Sequence, residues 1–121
     1  MDVKNDLGGG KPTLLIAEDE ESNYLLLKTI LHKYCNLIRA KTGLEALALF
    51  KENEVDLILM DIKMPEMTGI ESLKEIRKLS KDIPVIMEAD KEAGASGFIT
   101  KPINLKVLKN TISQYCSSIV W

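Results

Sequence analysis

Short apolar runs alternate along this chain with longer segments whose apolar residues recur at helical spacing. The runs are four or five residues long, and most are continuously apolar, which is typical of parallel strands buried on both faces. They predict five strands: Thr13–Ala17, Asn36–Ala40, Leu57–Met60, Pro84–Met87 and Gly97–Thr100.

The segments between these runs predict amphipathic helices. The first helix is expected over roughly Ser22 to Tyr34. Two others begin at the pairs Thr42–Glu45 and Thr68–Glu71, which have the spacing of a capping box, in which each side chain bonds the other residue's backbone. The last helix is marked by apolar residues at helical spacing: Leu105, Leu108, Ile112 and Tyr115.

Strands and helices in alternation predict an α/β fold, a doubly wound five-stranded parallel sheet with helices on both faces. One crossover is unusually short. Only nine residues, Glu88 to Ser96, separate the fourth run from the fifth, whereas a connection between parallel strands usually needs about a dozen or more. We therefore expect either a fourth helix that is shortened, or further residues between Met87 and Glu88 that this sequence lacks.

Three acids follow two of the predicted strands directly. Glu18 and Asp19 come after the first strand, and Asp61 comes after the third. In open parallel sheets ligands bind at the carboxyl ends of the strands, so neighbouring strands would bring these acids together. For Glu18 and Asp19 alone, a turn or a helix cap is an equally good interpretation. Three converging carboxylates need a compensating charge, and Mg²⁺ suits a few oxygen ligands that leave room for water and phosphate.

Lys101 follows the fifth strand and precedes Pro102 in "FITKP". A lone lysine is usually a solvated surface charge. Its position directly after a buried strand instead favours a cation at the same edge of the sheet as the acids.

Composition and charge exclude several classes of protein. With 45% apolar and 28% charged residues and a net charge of -2, the chain has no basic stripe for nucleic acid and no polybasic segment for lipid. Cys35 and Cys116 form no CxxC motif and His32 is the single histidine, so neither a disulfide framework nor a zinc site is expected. No apolar run approaches the length of about 18 residues that spans a bilayer. We expect one cytoplasmic domain.

Three motifs, in order, resemble the receiver domain of two-component response regulators. They are "LLIAEDE", "LILMDIKMPEMTG" and "AGASGFITKP". The resemblance runs from about Thr13 to Tyr115 and implies a flavodoxin-like sheet with strand order 2-1-3-4-5. We expect a flexible lead-in over 1–11, a receiver domain over 12–116 and a tail over 117–121. "EDEESN" resembles receivers attached to hybrid sensor kinases, so a stand-alone regulator and part of a hybrid kinase both stay open.

The resemblance also implies a reaction and its residues. Asp61 would accept a phosphoryl group from a phosphohistidine of a sensor histidine kinase or histidine phosphotransfer protein, in a Mg²⁺-dependent reaction. This implies a regulatory domain rather than an enzyme, with an output domain or partner outside this chain and no direct contact with nucleic acid or membrane. The other implied roles are a metal site of Glu18, Asp19, Asp61 and the Lys63 main-chain carbonyl, phosphate binding by Lys101, a cis bond before Pro102 and a switch aromatic at Phe98.

The chain departs from the family after the fourth strand. The family has a Ser or Thr there, followed by a loop and a full helix, whereas this sequence reads "PVIMEADKEAGASG". We expect the additional residues between Met87 and Glu88 to include that Ser or Thr. If the deletion is real, the chain is a receiver-fold interaction module without a working switch. An aspartyl-phosphate phosphatase is less favoured, because such enzymes usually carry a second acid where this chain has Lys63.

Overall fold

Five strands form one parallel sheet in the computed structural model, which describes residues 11–89, 97–100, 103–117, 119 and 121. Within these residues the sheet order is β2-β1-β3-β4-β5, and each neighbouring pair is parallel. The predicted doubly wound sheet with order 2-1-3-4-5 is therefore confirmed. The strands are β1 Thr13–Ala17, β2 Asn36–Ala40, β3 Leu57–Asp61, β4 Val85–Ala89 and β5 Gly97–Thr100.

Four helices connect or follow these strands in the described part of the chain: α1 Glu21–Leu31, α2 Gly43–Glu52, α3 Gly69–Leu79 and α4 Leu105–Tyr115. Helix α1 ends three residues earlier than predicted. The Tyr34 and Cys35 N–H groups both donate to the Leu31 carbonyl, at 2.9 and 3.0 Å, which closes a turn there. Tyr34 nevertheless packs against the core.

Alternate residues of each strand face opposite sides of the sheet, and each side packs against two helices. Leu14, Leu57 and Ile86 pack with residues of α1 and α4. Leu15 and Ile58, on the other side, pack with residues of α2 and α3. Burial of apolar surface on both faces explains why most of the strands are continuously apolar. The predicted helices on both faces are thus confirmed.

Strand β4 continues past the end of its apolar run. It was expected to end at Met87, but Glu88 pairs with Asp61 of β3 and with Ile99 of β5. Met87 and Glu88 are consecutive in the sequence and lie in one continuous strand. The expectation of further residues between them stays a prediction, which the intact mass of the protein tests. The connection from β4 to β5 is the seven-residue segment 90–96. The shortened fourth helix expected there lies outside the described residues.

Ile119 and Trp121, which lie in the segment expected to be a tail, contact the core. Ile119 is buried. The Trp121 indole N–H donates to the Ser113 hydroxyl at 2.6 Å, and its ring meets the Tyr34 ring edge-on at 5.1 Å. A large apolar ring that can satisfy its N–H gains more from packing than from exposure to water.

Both cysteines are buried, and both are free thiols. Burial raises the pKa of the Cys35 thiol to about 12, with a smaller contribution from the nearby Cys116. Cys35 is therefore protonated and unreactive at neutral pH.

The helices in the described ranges include none with the length and apolar character needed to cross a membrane.

We predict that Gly69→Ala destabilises the fold. A Cβ atom at Gly69 would lie 2.2 Å from the Asp61 carbonyl oxygen and 2.9 Å from the Ile62 Cα, so α3 and the end of β3 would have to separate. Overpacking of this kind costs about 1–3 kcal/mol. Urea denaturation should show the loss as a lower midpoint. Lys74→Ala, at an exposed position of the same helix, is the control, and equal midpoints for the two variants would contradict the prediction.

Candidate functional site

Three acids meet at the carboxyl edge of the sheet. Glu18 and Asp19 follow β1, Asp61 ends β3, and the pairing of Ala17 with Met60 sets these two strand ends side by side. One carboxylate oxygen from each acid lies within 4.8 Å of the other two. The predicted convergence of the three acids is therefore confirmed.

The three acids differ in their access to solvent. Glu18 is fully buried and Asp61 is 4% exposed, whereas Asp19 is exposed. Two carboxylates are thus recessed in the protein and the third lies at the surface above them. Asp19 is therefore the member of the cluster that is in contact with solvent.

Main-chain N–H groups orient the two recessed acids. The Glu18 carboxylate accepts a hydrogen bond from the Glu20 N–H at 3.2 Å, and its own N–H donates to the Ala40 carbonyl of β2 at 2.9 Å. The Asp61 carboxylate accepts one from the Lys63 N–H, also at 3.2 Å. In each case the N–H belongs to the residue two positions later. The loop that follows each strand therefore fixes its acid.

The loop from β3 to α3 ends at the predicted capping box. The Thr68 hydroxyl accepts a hydrogen bond from the Glu71 N–H, and the Glu71 carboxylate accepts one from the Thr68 N–H, at 3.2 and 3.0 Å. Hydrogen bonding of the Glu71 carboxylate to Thr68, chiefly to the Thr68 backbone N–H, lowers the pKa of Glu71. At the start of α2 the hydroxyl bond is present, but the Glu45 carboxylate accepts from the Lys41 N–H instead. The complete box is thus found at α3, next to the acids.

The sequence did not single out Glu88 and Arg39, which lie beside the three acids. Glu88 is fully buried and pairs in register with Asp61, so the two side chains face the same side of the sheet. Arg39 of β2 donates hydrogen bonds to the Glu18 carbonyl. A signal for Glu88 was available, since it directly extends an apolar run. No local signal marks Arg39, whose partners are about twenty residues away along the chain.

Several predicted site residues are not tested by this geometry. Lys101 and Pro102 lie outside the described residues. Phe98 lies in β5 and pairs with Met87, but its side chain is outside the described part. Lys63 reaches Asp61 through its N–H group, and the role of its carbonyl as a ligand stays a prediction.

A comparison with known families decides the assignment. Residues 14–113 match the family model described as "Response regulator receiver domain". The chain belongs to this family. Receiver domains accept phosphoryl groups from histidine kinases or phosphotransfer proteins, so this one is a regulatory domain of two-component signalling.

Similar proteins agree with that assignment. The polar-differentiation response regulator DivK of Brucella ovis is 36% identical over an alignment of 116 positions, gaps included, that covers 85% of this chain and 94% of DivK. Since 85% of 121 residues is about 103, this receiver domain lacks a residue at about 13 positions of the alignment. The chain is thus shorter than DivK within the aligned domain itself.

Two solved structures have the same fold. A chain of the CheX–CheY–BeF₃–Mg²⁺ complex from Borrelia burgdorferi matches with a TM-score of 0.81 and 29% identity, covering 89% of this chain and 92% of that one. A chain of the complex between the Saccharomyces cerevisiae histidine phosphotransfer protein Ypd1 and the receiver domain of Ssk1 matches with a TM-score of 0.80 and 28% identity. The match covers 87% of this chain and 88% of that one. The receiver domain therefore shares its architecture with proteins from bacteria and yeast.

Proposed function

We propose that Asp61 accepts a phosphoryl group from a phosphohistidine of a sensor histidine kinase or a histidine phosphotransfer protein. The observation that carries the proposal is the position of Asp61 at the carboxyl end of β3, with one oxygen within 4.8 Å of oxygens of Glu18 and Asp19. A strand buried on both faces holds this carboxylate in place while leaving it 4% exposed. The Ypd1–Ssk1 complex supports the class of donor, because a receiver domain there binds a histidine phosphotransfer protein.

The donor set fits a magnesium ion. Oxygen ligands at about 2.1 Å from Mg²⁺ lie at most about 4.2 Å apart, and the carboxylate oxygens of Glu18, Asp19 and Asp61 already lie within 4.8 Å of one another. Small side-chain movements, or a water molecule in place of one direct contact, complete such a site. These three acids would hold the ion, with the Lys63 carbonyl as a further ligand. When bound, Mg²⁺ supplies positive charge against the oxygens of the incoming phosphoryl group.

The phosphoryl transfer depends mainly on how the Asp61 carboxylate is positioned against the incoming phosphoryl group. An Asp61 carboxylate oxygen forms the new P–O bond while the P–N bond to the donor histidine breaks, and the electron pair of that bond stays with the imidazole. The Lys63 N–H bond to Asp61 limits rotation of the carboxylate. By its resemblance to the family motif, Lys101 is the cation that meets the transferred phosphoryl group.

A second candidate is a receiver-fold interaction module that is phosphorylated without passing on a signal. The observation that favours it is the connection of seven residues, 90–96, between β4 and β5. A segment this short has room for less than two helical turns. Glu88, moreover, stands near the end of β4, where the family has a Ser or Thr. Phosphorylation that leaves partner binding unchanged would favour this candidate over a switch.

We predict that a small phosphodonor such as acetyl phosphate, with Mg²⁺, adds one phosphoryl group, and that Asp61→Asn abolishes the addition. An amide is not a nucleophile for this transfer. Intact-mass measurement on fresh samples detects the product. Asp82→Asn is the control, since Asp82 is exposed and precedes β4 at the opposite edge of the sheet. A phosphoryl group still found on the Asp61→Asn protein would remove Asp61 from its role.

We predict that Asp19→Ala weakens Mg²⁺ binding about tenfold or more with the fold intact, because the change removes one oxygen ligand and part of the site's negative charge. Titration calorimetry measures the affinity, and circular dichroism checks the fold. Glu20→Ala is the matched control: it removes the same charge one residue away, from a side chain that accepts a hydrogen bond from Ser22. Equal Mg²⁺ affinities of the Asp19→Ala and wild-type proteins would contradict the assignment of Asp19 as a metal ligand.

We predict that Lys101→Ala slows phosphorylation at Asp61 while Mg²⁺ affinity is retained, because the lysine is proposed to meet the phosphoryl group rather than the ion. The rate of product formation from acetyl phosphate is followed by mass spectrometry. Lys106→Ala, at an exposed position of α4, serves as the control for loss of a positive charge. Unchanged rates in the Lys101 variant would count against its role.

A further inference from the structure

We propose that Arg39 is a positioning residue that holds the loop of metal-binding acids in place and thereby sets the affinity for Mg²⁺. The inference rests on the magnesium site proposed above. Arg39 lies in β2, the outermost strand on one side of the sheet, and pairs in register with Ile16 of β1. Its side chain is 15% exposed.

The Arg39 guanidinium joins the two ends of the acidic loop. Its Nε and Nη2 atoms donate to the Glu18 carbonyl at 3.2 and 3.1 Å. Its Nη1 atom lies 2.8 and 2.9 Å from the two carboxylate oxygens of Glu21, the first residue of α1. Asp19, the exposed member of the acidic cluster, lies between these two anchors. One side chain therefore bonds the backbone on one side of Asp19 and the side chain of the first helical residue on the other.

A third contact holds the guanidinium itself. Its central carbon lies 4.2 Å from the centroid of the Tyr24 ring, one turn into α1. A cation over an aromatic face is favoured, more so when it is partly withdrawn from water. The hydrogen bond from Arg39 is also the main cause of the lowered pKa of Glu21. The Arg39 guanidinium is thus held by the residue that follows β1 on one side and by α1 on the other.

The local sequence explains why this loop needs such an anchor. Residues 18–21 are four consecutive acids, "EDEE", and like charges in a short segment repel one another. A loop free to spread would lose the close approach of the Glu18, Asp19 and Asp61 carboxylates. Bonds from a cation to both ends of the loop oppose that spreading without occupying the carboxylates that face the site.

Lysine cannot replace this arrangement. The four bonds leave three nitrogens of one planar group at once, whereas a lysine ammonium is a single point of attachment on a flexible stem. Arg39→Lys keeps the positive charge and most of the buried aliphatic stem but loses the planar guanidinium, whose three nitrogens make the four bonds. We expect Arg39→Lys and Arg39→Ala both to bind Mg²⁺ about tenfold more weakly, the lower end of the loss found when groups behind metal ligands are removed.

Removal of Arg39 also removes a positive charge near a cation site, and this effect acts in the opposite direction. The double variant Arg39→Ala/Glu21→Ala separates the two effects, because it deletes the ion pair as a unit and leaves the net charge unchanged. If position is what matters, the double variant still binds Mg²⁺ about tenfold more weakly. Wild-type affinity in the double variant would overturn the proposal.

Arg77 offers a matched control for loss of stability. Its Nη1 atom also donates to backbone carbonyls, those of Ser80 and Ile83, at 3.3 and 2.6 Å, but these precede β4 at the opposite edge of the sheet. Arg77→Ala should lower the urea midpoint and leave Mg²⁺ affinity unchanged. An equal loss of affinity in the Arg77→Ala protein would mean that stability alone controls binding, which would overturn the positioning role.

The test combines titration calorimetry with Mg²⁺ and amide hydrogen exchange in the metal-free proteins. We expect faster exchange at the Glu20 N–H, which bonds the Glu18 carboxylate, in the Arg39→Lys protein. Unchanged affinity and exchange in that protein would overturn the proposal even if Arg39→Ala fails to fold. Absence of Mg²⁺ binding by the wild type would overturn both this inference and the magnesium site. Mg²⁺ binding that depends on Arg39, without phosphorylation at Asp61, would overturn the proposed function and support the role of Arg39.

Discussion

The parallel pairing of β1 with β3 is the constraint on which the rest of the structure depends. Both strands are buried along their whole length, and both deliver acids at their carboxyl ends. Apolar burial on two faces fixes the register, and the register in turn fixes how close Glu18 and Asp61 come. The favourable free energy of burying the strands therefore holds like charges together at the edge, where water or a cation can offset their repulsion.

The loop after β3 is held by close backbone contacts that two glycines permit. A Cβ atom on Gly43 would lie 2.1 Å from the Met67 carbonyl oxygen, and the Gly43 N–H donates to that oxygen at 3.0 Å. The Gly69 N–H donates to the Ile62 carbonyl at 2.8 Å, beside Asp61. Helices α2 and α3 thus both begin against the loop that carries Lys63. A site at the end of a strand gains rigidity from the helix starts packed beside it.

Features that depend on local pattern were predictable from the sequence. The strands followed from their apolar runs, the capping box from the spacing of Thr68 and Glu71, and the meeting of the acids from the rule that parallel strands end at one edge.

Features that depend on distant partners were not predictable from the sequence. The burial of Glu88 is decided by pairing with β3 and β5, and the packing of Trp121 by Tyr34 and Ser113. Arg39 looked like an ordinary polar residue of an edge strand, because its role depends on a loop that comes before it in the chain. The roles of Lys101, Pro102 and Phe98 stay predictions.

The packing of Trp121 gives the receiver domain a built-in optical probe. It is the chain's single tryptophan, and it contacts Tyr34, just beyond the carboxyl end of α1, while the amino end of that helix carries Glu21 beside the acids. Eleven helical residues separate the two ends by about 16 Å. An ion bound among the acids therefore cannot touch the indole. Any change in tryptophan emission on ion binding would therefore report a displacement transmitted through the protein to the packing of Trp121 against Tyr34 and Ser113.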